Sequence, residues 1–339
     1  MSLRRRGVNY DVGTNYSADG ALSRQVWRTD LVTAEIRAIR HDLRANAVGI
    51  FGTGIDRLVQ AGELALDQGL EVWLQPRLVD GDGEQTLEQL ATMADAAEAM
   101  RQRRPGVILN LGCELSIFMT GIVPGATHAE RAAHLASPLA WPMVPRYNRR
   151  LNAFLAEATV TARARFAGQI TYSAGLWERV QWQRFDVVGL DYYRLRFNRV
   201  GYARRLRKFH RWGKPVVVTE FGSGSYRGAA EKGPTSHDVI DFSGTVPRLT
   251  GTYVRDEQVQ ADQLSELLDV YETEGVYGAF VFEFIEPYNP HSPDPRSDAD
   301  MAGYGIVTVL PGDDERPYRW KPKAAFHMIA ARYARGDVE

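Results

Sequence analysis

Residues 214–222 read Lys214-Pro215-Val216-Val217-Val218-Thr219-Glu220-Phe221-Gly222. A Pro opens the stretch, three Val follow in a row, and a carboxylate stands where the run ends. Gly222, Ser223 and Gly224 then loosen the backbone. A short β-branched run between turn signals predicts a strand buried on both faces, as in a parallel sheet. A Glu at the C-terminal end of such a strand stands where a barrel of strands and helices carries its chemistry.

Outward from this stretch, strand-like and helix-like segments alternate along the chain. Strands are predicted at residues 7–12, 47–51, 70–75, 107–111, 169–174, 186–192, 216–222 and 277–282. Helices are predicted at 30–44, 55–68, 84–103, 147–166, 200–212, 256–274 and 324–333, with a short one near Trp177 to Trp182. In the first helix Ile36, Ile39 and Leu43 share a face, and Asp30 is its N-cap candidate. Alternation of this kind implies a parallel sheet, and eight units imply a closed (β/α)8 TIM barrel, an α/β fold. Residues 115–141 and 223–253 read as long excursions over one rim, and a third extended loop follows strand eight. No Gly-x-Gly-x-x-Gly turn follows strand one, which argues against a doubly wound sheet. No repeat or linker interrupts residues 1–339, so one catalytic domain is expected.

Composition narrows the function. The chain has 339 residues, 44% apolar and 24% charged, with a net charge of −1. This is ordinary globular composition with no global field for nucleic acid or an anionic membrane. Only five of the 41 basic residues are Lys, which suggests a GC-rich, bacterial coding background. A single cysteine, Cys113, excludes an intrachain disulfide and a Cys-based zinc site. The Arg4-Arg5-Arg6 start lacks the apolar segment of a secretory signal, and no apolar run is long enough to span a membrane. A cytoplasmic location is therefore expected.

In a barrel of this type, functional groups stand at strand C-terminal ends and in the loops that follow. Those places hold Asn9, Tyr10 and Asp11; Gln75 and Arg77; Asn110 and Glu114; Ser173 and Trp177; Asp191, Tyr192 and Tyr193; Glu220; and Glu283 and Glu286. Glu114 follows strand four and Glu220 ends strand seven, on opposite sides of the mouth. Two facing carboxylates suit cleavage at an acetal carbon. One protonates the leaving oxygen while the other attacks or supports the oxocarbenium-like centre. Each alone is more often a solvated rim charge; the pairing in this register is what points to chemistry.

This pattern resembles the clan A glycoside hydrolases, barrels with the acid/base after strand four and the nucleophile after strand seven. Val218-Thr219-Glu220-Phe221-Gly222 is similar to the nucleophile strand of cellulase- and mannanase-like members, and Leu111-Gly112-Cys113-Glu114 falls at the acid/base position. The last unit, from Ala279-Phe280-Val281-Phe282-Glu283 to Trp320-Lys321-Pro322-Lys323-Ala324-Ala325-Phe326, resembles uncharacterised bacterial proteins labelled abortive infection proteins. The resemblance implies a retaining hydrolase with Glu114 as acid/base and Glu220 as nucleophile. It implies substrate contacts from Asn9, Asp11, Arg77, Asn110, Trp177, Asp191, Tyr192, Tyr193 and Glu283, and neither metal nor cofactor. Two positions depart from the pattern. Cys113 precedes the acid/base where most members have Asn, and Gly49 stands where many carry a strand-two Arg; Arg77 is the replacement candidate.

Competing readings find less support. Asp294, Asp298 and Asp300 crowd a loop with His291, but not at calcium-loop spacing, and they read as a solvated acidic cap. No P-loop is present. The basic run Arg204-Arg205-Leu206-Arg207-Lys208 lies on a helix and reads as a water-facing surface, not a nucleic-acid site. Beside hydrolysis of a small glycoside or oligosaccharide stand two alternatives. One is an acid/base enzyme for cyclisation, elimination or isomerisation in biosynthesis, motivated by the two departures. The other is a carbohydrate-binding module with a degenerate site.

Overall fold

Alternating β-branched strands and amphipathic helices fold as the sequence pattern predicts. The computed structural model describes residues 2–17, 20–244, 247–313 and 316–335. Eight strands close a parallel barrel: β1 (Arg5–Asp11), β2 (Ala47–Gly52), β3 (Glu71–Pro76), β4 (Val107–Cys113), β5 (Gln169–Ala174), β6 (Val188–Asp191), β7 (Val216–Phe221) and β8 (Gly278–Val281). Each pairs with its sequence neighbours, and β8 closes on β1. Around them pack α1 (Thr29–His41), α2 (Ile55–Asp67), α3 (Gly83–Arg103), α4 (Val144–Arg163), α5 (Tyr202–Arg207), α6 (Glu257–Thr273) and α7 (Ala324–Arg335). Asp82 and Gln85 form a reciprocal capping box at the start of α3.

Period-two alternation divides the core. Outward residues such as Val8, Tyr10, Val48, Ile50, Val216 and Val218 join the layer between barrel and helices. Inward residues Ala47, Trp73, Ile108, Val187, Val217 and Phe280 fill the barrel interior. Glycines admit them: a Cβ on Gly7 would lie 2.2 Å from the Phe280 ring.

Three local expectations change. The short helix expected near Trp177 to Trp182 is a turn followed by a 3-10 segment at Trp182–Arg184, so no α-helix separates β5 from β6. The helix expected at 200–212 is α-helical only over α5 and continues as 3-10 from Lys208 to Trp212. The acidic cap is solvated only in part: Asp294 is exposed, but its two neighbours are not. Asp298 and Asp300 are each 3% exposed and pair with Arg255, with His291 on Asp298 and fully buried Lys323 on Asp300. Arg255 and Lys323 come from elements outside this loop.

The excursions over the C-terminal rim are structured. That after β4 contains helices Leu115–Phe118 and His128–Ala136. That after β7 contains Ala229–Lys232 and a small hairpin, and that after β8 a hairpin of Val307–Pro311 with Tyr318–Pro322. Residues 245 and 246, within the excursion expected at 223–253, lie outside the described residues. Among the described residues, no helix is long and apolar enough to cross a membrane.

One buried ion pair ties rim to barrel. Arg24 donates to Glu35 at 2.9 Å, and Tyr318 donates to the same carboxylate at 2.8 Å, with Tyr10 as a further donor. Glu35→Gln leaves the Arg24 charge buried and unmatched. Such losses cost about 3–5 kcal/mol, so urea unfolding should show a midpoint well below that of the wild type.

Candidate active site

Strict alternation would hide Glu220. Val216 and Val218 face the helices, and Glu220 belongs to the same parity. The register breaks at this point: Leu190 pairs with Val218, but Asp191 pairs with Glu220. The β8 pairing shifts likewise, from Ala279 with Val218 to Val281 with Phe221. The extra residue on β7 turns Glu220 into the barrel mouth, as β-bulges re-aim side chains. β4 uses the same device. Asn110 pairs with Thr171 and Cys113 with Ser173, and Gly112, at φ +149°, supplies the irregular backbone.

Glu220 is 7% exposed and held from several sides. Arg77 donates to its Oε1 at 2.6 Å, and Tyr193 donates to its Oε2 at 3.2 Å. The Arg77 guanidinium also donates to Gln75 Oε1 and to the Tyr16 hydroxyl, the latter at 2.8 Å. Its Cζ lies over Phe51, 4.1 Å from the ring centre. Position 49 on β2 is crowded, since a Cβ on Gly49 would sit 2.2 Å from Asn9 Oδ1, and Arg77, just after β3, supplies the guanidinium instead.

Below Glu220 lie Cys113 and Asp191. Burial pushes the Cys113 thiol well up, so it keeps its hydrogen. It donates to Asp191 Oδ2 at 3.2 Å and to Glu220 Oε1 at 3.5 Å. Burial first, then the Glu220 charge, push the Asp191 carboxyl well above its usual range. The ligating atoms of the three residues lie within 4.8 Å of one another. The Arg77 charge on Glu220 opposes a metal ion there, so the trio fits proton sharing better than metal ligation.

Glu114 occupies the other side of the mouth. Its backbone is left-handed, at φ +41° and ψ +45°, a strained conformation for a non-glycine residue. Buried Glu178 holds the surroundings. It accepts from the Ser116 amide at 3.1 Å, Tyr172 at 2.8 Å and the Gly175 amide at 3.1 Å, and also from the Ser116 hydroxyl. Ser116 in turn accepts from Trp177 Nε1 at 2.8 Å. A Cβ on Gly175 would meet both the Trp177 ring, at 2.7 Å, and Glu114 Oε1, at 2.9 Å. The Glu114 carboxyl thus lies beside the edge of Trp177.

Burial, followed by the charges of Asp191, Glu220 and Glu178, pushes the Glu114 carboxyl well above its ordinary value. A carboxyl with a raised folded-state pKa adds no penalty below the unfolded pKa. It destabilises the fold as pH rises from there through the folded pKa. Glu114→Gln removes that penalty. Its melting temperature should exceed the wild type's at pH 8 and match it at pH 4, as scanning calorimetry can read.

The carboxylates open into one cavity of about 2270 Å³. Glu114, Glu220, Arg77, Trp177, Asp191, Tyr192, Tyr193 and Glu283 line it. Asn9, Asp11 and Asn110, expected as substrate contacts, do not. Asn9 donates to the Thr219 carbonyl at 2.8 Å, and Asn110 to Ser173 Oγ at 2.7 Å. Asp11 accepts from the Gly13 amide, Thr14 and Ser23. The Asn9 and Asn110 amides serve the barrel interior, and the Asp11 carboxylate serves the loop after β1. Tyr192 points its hydroxyl at the Tyr202 carbonyl, 2.9 Å away, so Tyr193 is the phenol on Glu220. Sequence reasoning missed Glu178 and Phe282. Phe282 lines the cavity and stacks on Phe51 with ring centres 5.5 Å apart. The Phe280/Phe282 alternation on the last strand is the signal that marks it.

The barrel matches solved structures along its whole length. A GH113 β-1,4-mannanase covers 98% of this chain and 99% of its own at 16% identity, with a TM-score of 0.63. The GH113 β-mannanase AaManA from Alicyclobacillus acidocaldarius, in complex with ManMIm, gives 15% identity, 99% and 98% coverage and a TM-score of 0.62. A β-glucuronidase from Parabacteroides merdae matches 98% of this chain over 36% of its own length, at 16% identity and a TM-score of 0.58. At this identity the likeness is one of fold, a closed (β/α)8 barrel. No family model and no curated protein matches the chain, so the likeness of the last unit to abortive infection proteins has no further support.

Proposed function

We propose that this protein is a retaining glycoside hydrolase, with Glu220 as nucleophile and Glu114 as acid/base, acting on a small glycoside or oligosaccharide. The observation that carries the reading is the contrast between the two carboxyls. Glu220 receives a guanidinium and a phenol on its two oxygens, the setting of an acceptor. Glu114 is pushed toward its protonated form by burial and by neighbouring charge. Environments that separate two carboxyls in this way assign base and acid roles.

In the first step Glu220 attacks the anomeric carbon and the Glu114 proton passes to the glycosidic oxygen, which leaves. Glu114, now a carboxylate, takes a proton from water as that water attacks the same carbon. The ester to Glu220 breaks, and both carboxyls return to their starting states. Two inversions give net retention. Tyr193, Trp177 and Glu283 face the substrate, and Asp191 with Cys113 buffers the charge beneath Glu220. None of these steps requires a metal or cofactor.

The pH dependence of kcat/KM tests the acid/base. The alkaline limb should lie well above the ordinary carboxylate range, because it reports deprotonation of Glu114. With an aryl glycoside whose phenol leaves unaided, Glu114→Gln should lose that limb and retain first-step turnover. A limb unchanged in Glu114→Gln assigns the acid elsewhere. Proton NMR of the first product should show the substrate's anomeric configuration; the opposite anomer rules out the double displacement.

A further inference from the structure

Exposed apolar side chains are not scattered over this molecule. Ten large ones are exposed among the described residues, and nine of them lie in loops that follow barrel strands. Only Val160, on α4, does not. In a barrel those loops share the C-terminal face, so the apolar residues ring the mouth that holds the two carboxylates. Leu139 is 88% exposed and Trp141 67% in the excursion after β4, and Phe197 is 81% and Val200 87% exposed after β6. Contiguous apolar surface of this kind marks a place of contact.

The same loops carry unmatched positive charge. Residues 137–156 and 192–214 contain no Asp or Glu, in a chain with 42 acidic residues. Arg194 and Arg199 are spent on Glu266. Among the described residues, Arg146, Arg179, Arg196 and Arg204 are exposed and meet no carboxylate. Arg146 follows Leu139 and Trp141, and Arg196 and Arg204 flank Phe197 and Val200. The loop after β5 joins the two groups. Its Arg179 amide donates to Asn148 on α4, and the Arg179 carbonyl accepts from Asn152 at 2.9 Å. Leu176, in the same loop, lines the cavity together with Phe197.

We propose that the rim built by the loops after β4, β5 and β6 seats on an anionic lipid surface. Leu139, Trp141, Phe197 and Val200 enter the headgroup layer, and the four arginines meet lipid phosphates. A nucleic acid answers the arginines but leaves aliphatic Leu139 and Val200 without a partner. A second copy of the chain offers apolar contact but sets arginine against arginine. An anionic bilayer offers charge at its surface and hydrocarbon just beneath, within reach of a side chain. A Trp ring suits that boundary, and the long Arg stems let the charge stay at headgroup level beside an inserted loop. This seat does not depend on the chemistry of Glu114 and Glu220.

Co-sedimentation of the full chain with vesicles tests this. Mixed phosphatidylglycerol and phosphatidylcholine vesicles should bind it in dilute salt, and phosphatidylcholine alone far more weakly. Arg196→Glu with Arg204→Glu should weaken binding about 25-fold or more, since each basic charge near such a surface contributes roughly fivefold. Phe197→Ser with Val200→Ser should weaken it about tenfold or more, while the far-ultraviolet spectrum and melting temperature stay those of the wild type. Equal binding to uncharged vesicles overturns the proposal, and so does full binding in the double Ser variant. Absence of vesicle binding overturns it too. Capture of duplex DNA instead, read by fluorescence anisotropy, assigns the arginines to nucleic acid. Dimerisation instead, lost in the double Ser variant by analytical ultracentrifugation, assigns the face to a second copy.

Discussion

Glu220→Gln is expected to lower kcat on any turned-over aryl glycoside by about 10⁴-fold or more, the scale seen when a covalent nucleophile is removed. The amide keeps the shape of the carboxylate and its contact with Tyr193, so the cavity should survive while the attacking oxygen is lost. Binding of substrate should change far less than turnover, because the loss falls on the transition state. The smaller Glu220→Ala variant separates a nucleophile from a merely structural residue. It opens space beside the anomeric carbon, and added azide should restore turnover by attacking from the vacated side. The product should then be the glycosyl azide of inverted configuration. Restoration with a retained product, or none beside an active Glu220→Gln enzyme, would place the nucleophile elsewhere.

Arg77→Met should produce the second large effect, on two readouts at once. Arg77 is 4% exposed, and its guanidinium engages Glu220, Gln75 and Tyr16 while lying over Phe51. Removing it leaves Glu220 buried beside Asp191 and Cys113 without a counter-charge. Breaking a buried pair from one side costs about 3–5 kcal/mol, so denaturant unfolding should shift markedly. Activity should fall about 100-fold or more, because the nucleophile loses its fixed orientation. Arg77→Lys restores the charge but not the planar fork that reaches three acceptors together, so it should recover stability only in part. Full activity in Arg77→Met would reduce Arg77 to a packing residue.

Much of the barrel was legible because its signals are local. A β-branched run, a turn and an amphipathic helix each declare themselves within a dozen residues, and eight such units in order leave little choice of topology. Glu114 and Glu220 could be named because strand ends are visible in that pattern. What brings them to face each other was not visible. The bulges on β4 and β7 each insert one residue without changing composition, and regular alternation would send Glu220 outward with Val216 and Val218. Asn9 shows the opposite error. It stands at a strand end and points inward, yet the space above Gly49 draws its side chain into the barrel floor. Asp298 and Asp300 read as solvated because Arg255 and Lys323, which neutralise them, come from other parts of the chain. Ion pairs between remote elements leave no periodicity to read.

The roles given to Glu220 and Glu114 meet in one covalent intermediate. A 2-deoxy-2-fluoroglycosyl fluoride of a glycon that the wild type hydrolyses should form that intermediate quickly and release it slowly. Mass spectrometry of the peptic digest should then show one fluoroglycosyl group on the peptide bearing Val216 to Phe221, with fragmentation placing it on Glu220. An active enzyme that turns the reagent over unlabelled, or carries the label on another residue, would contradict the assignment.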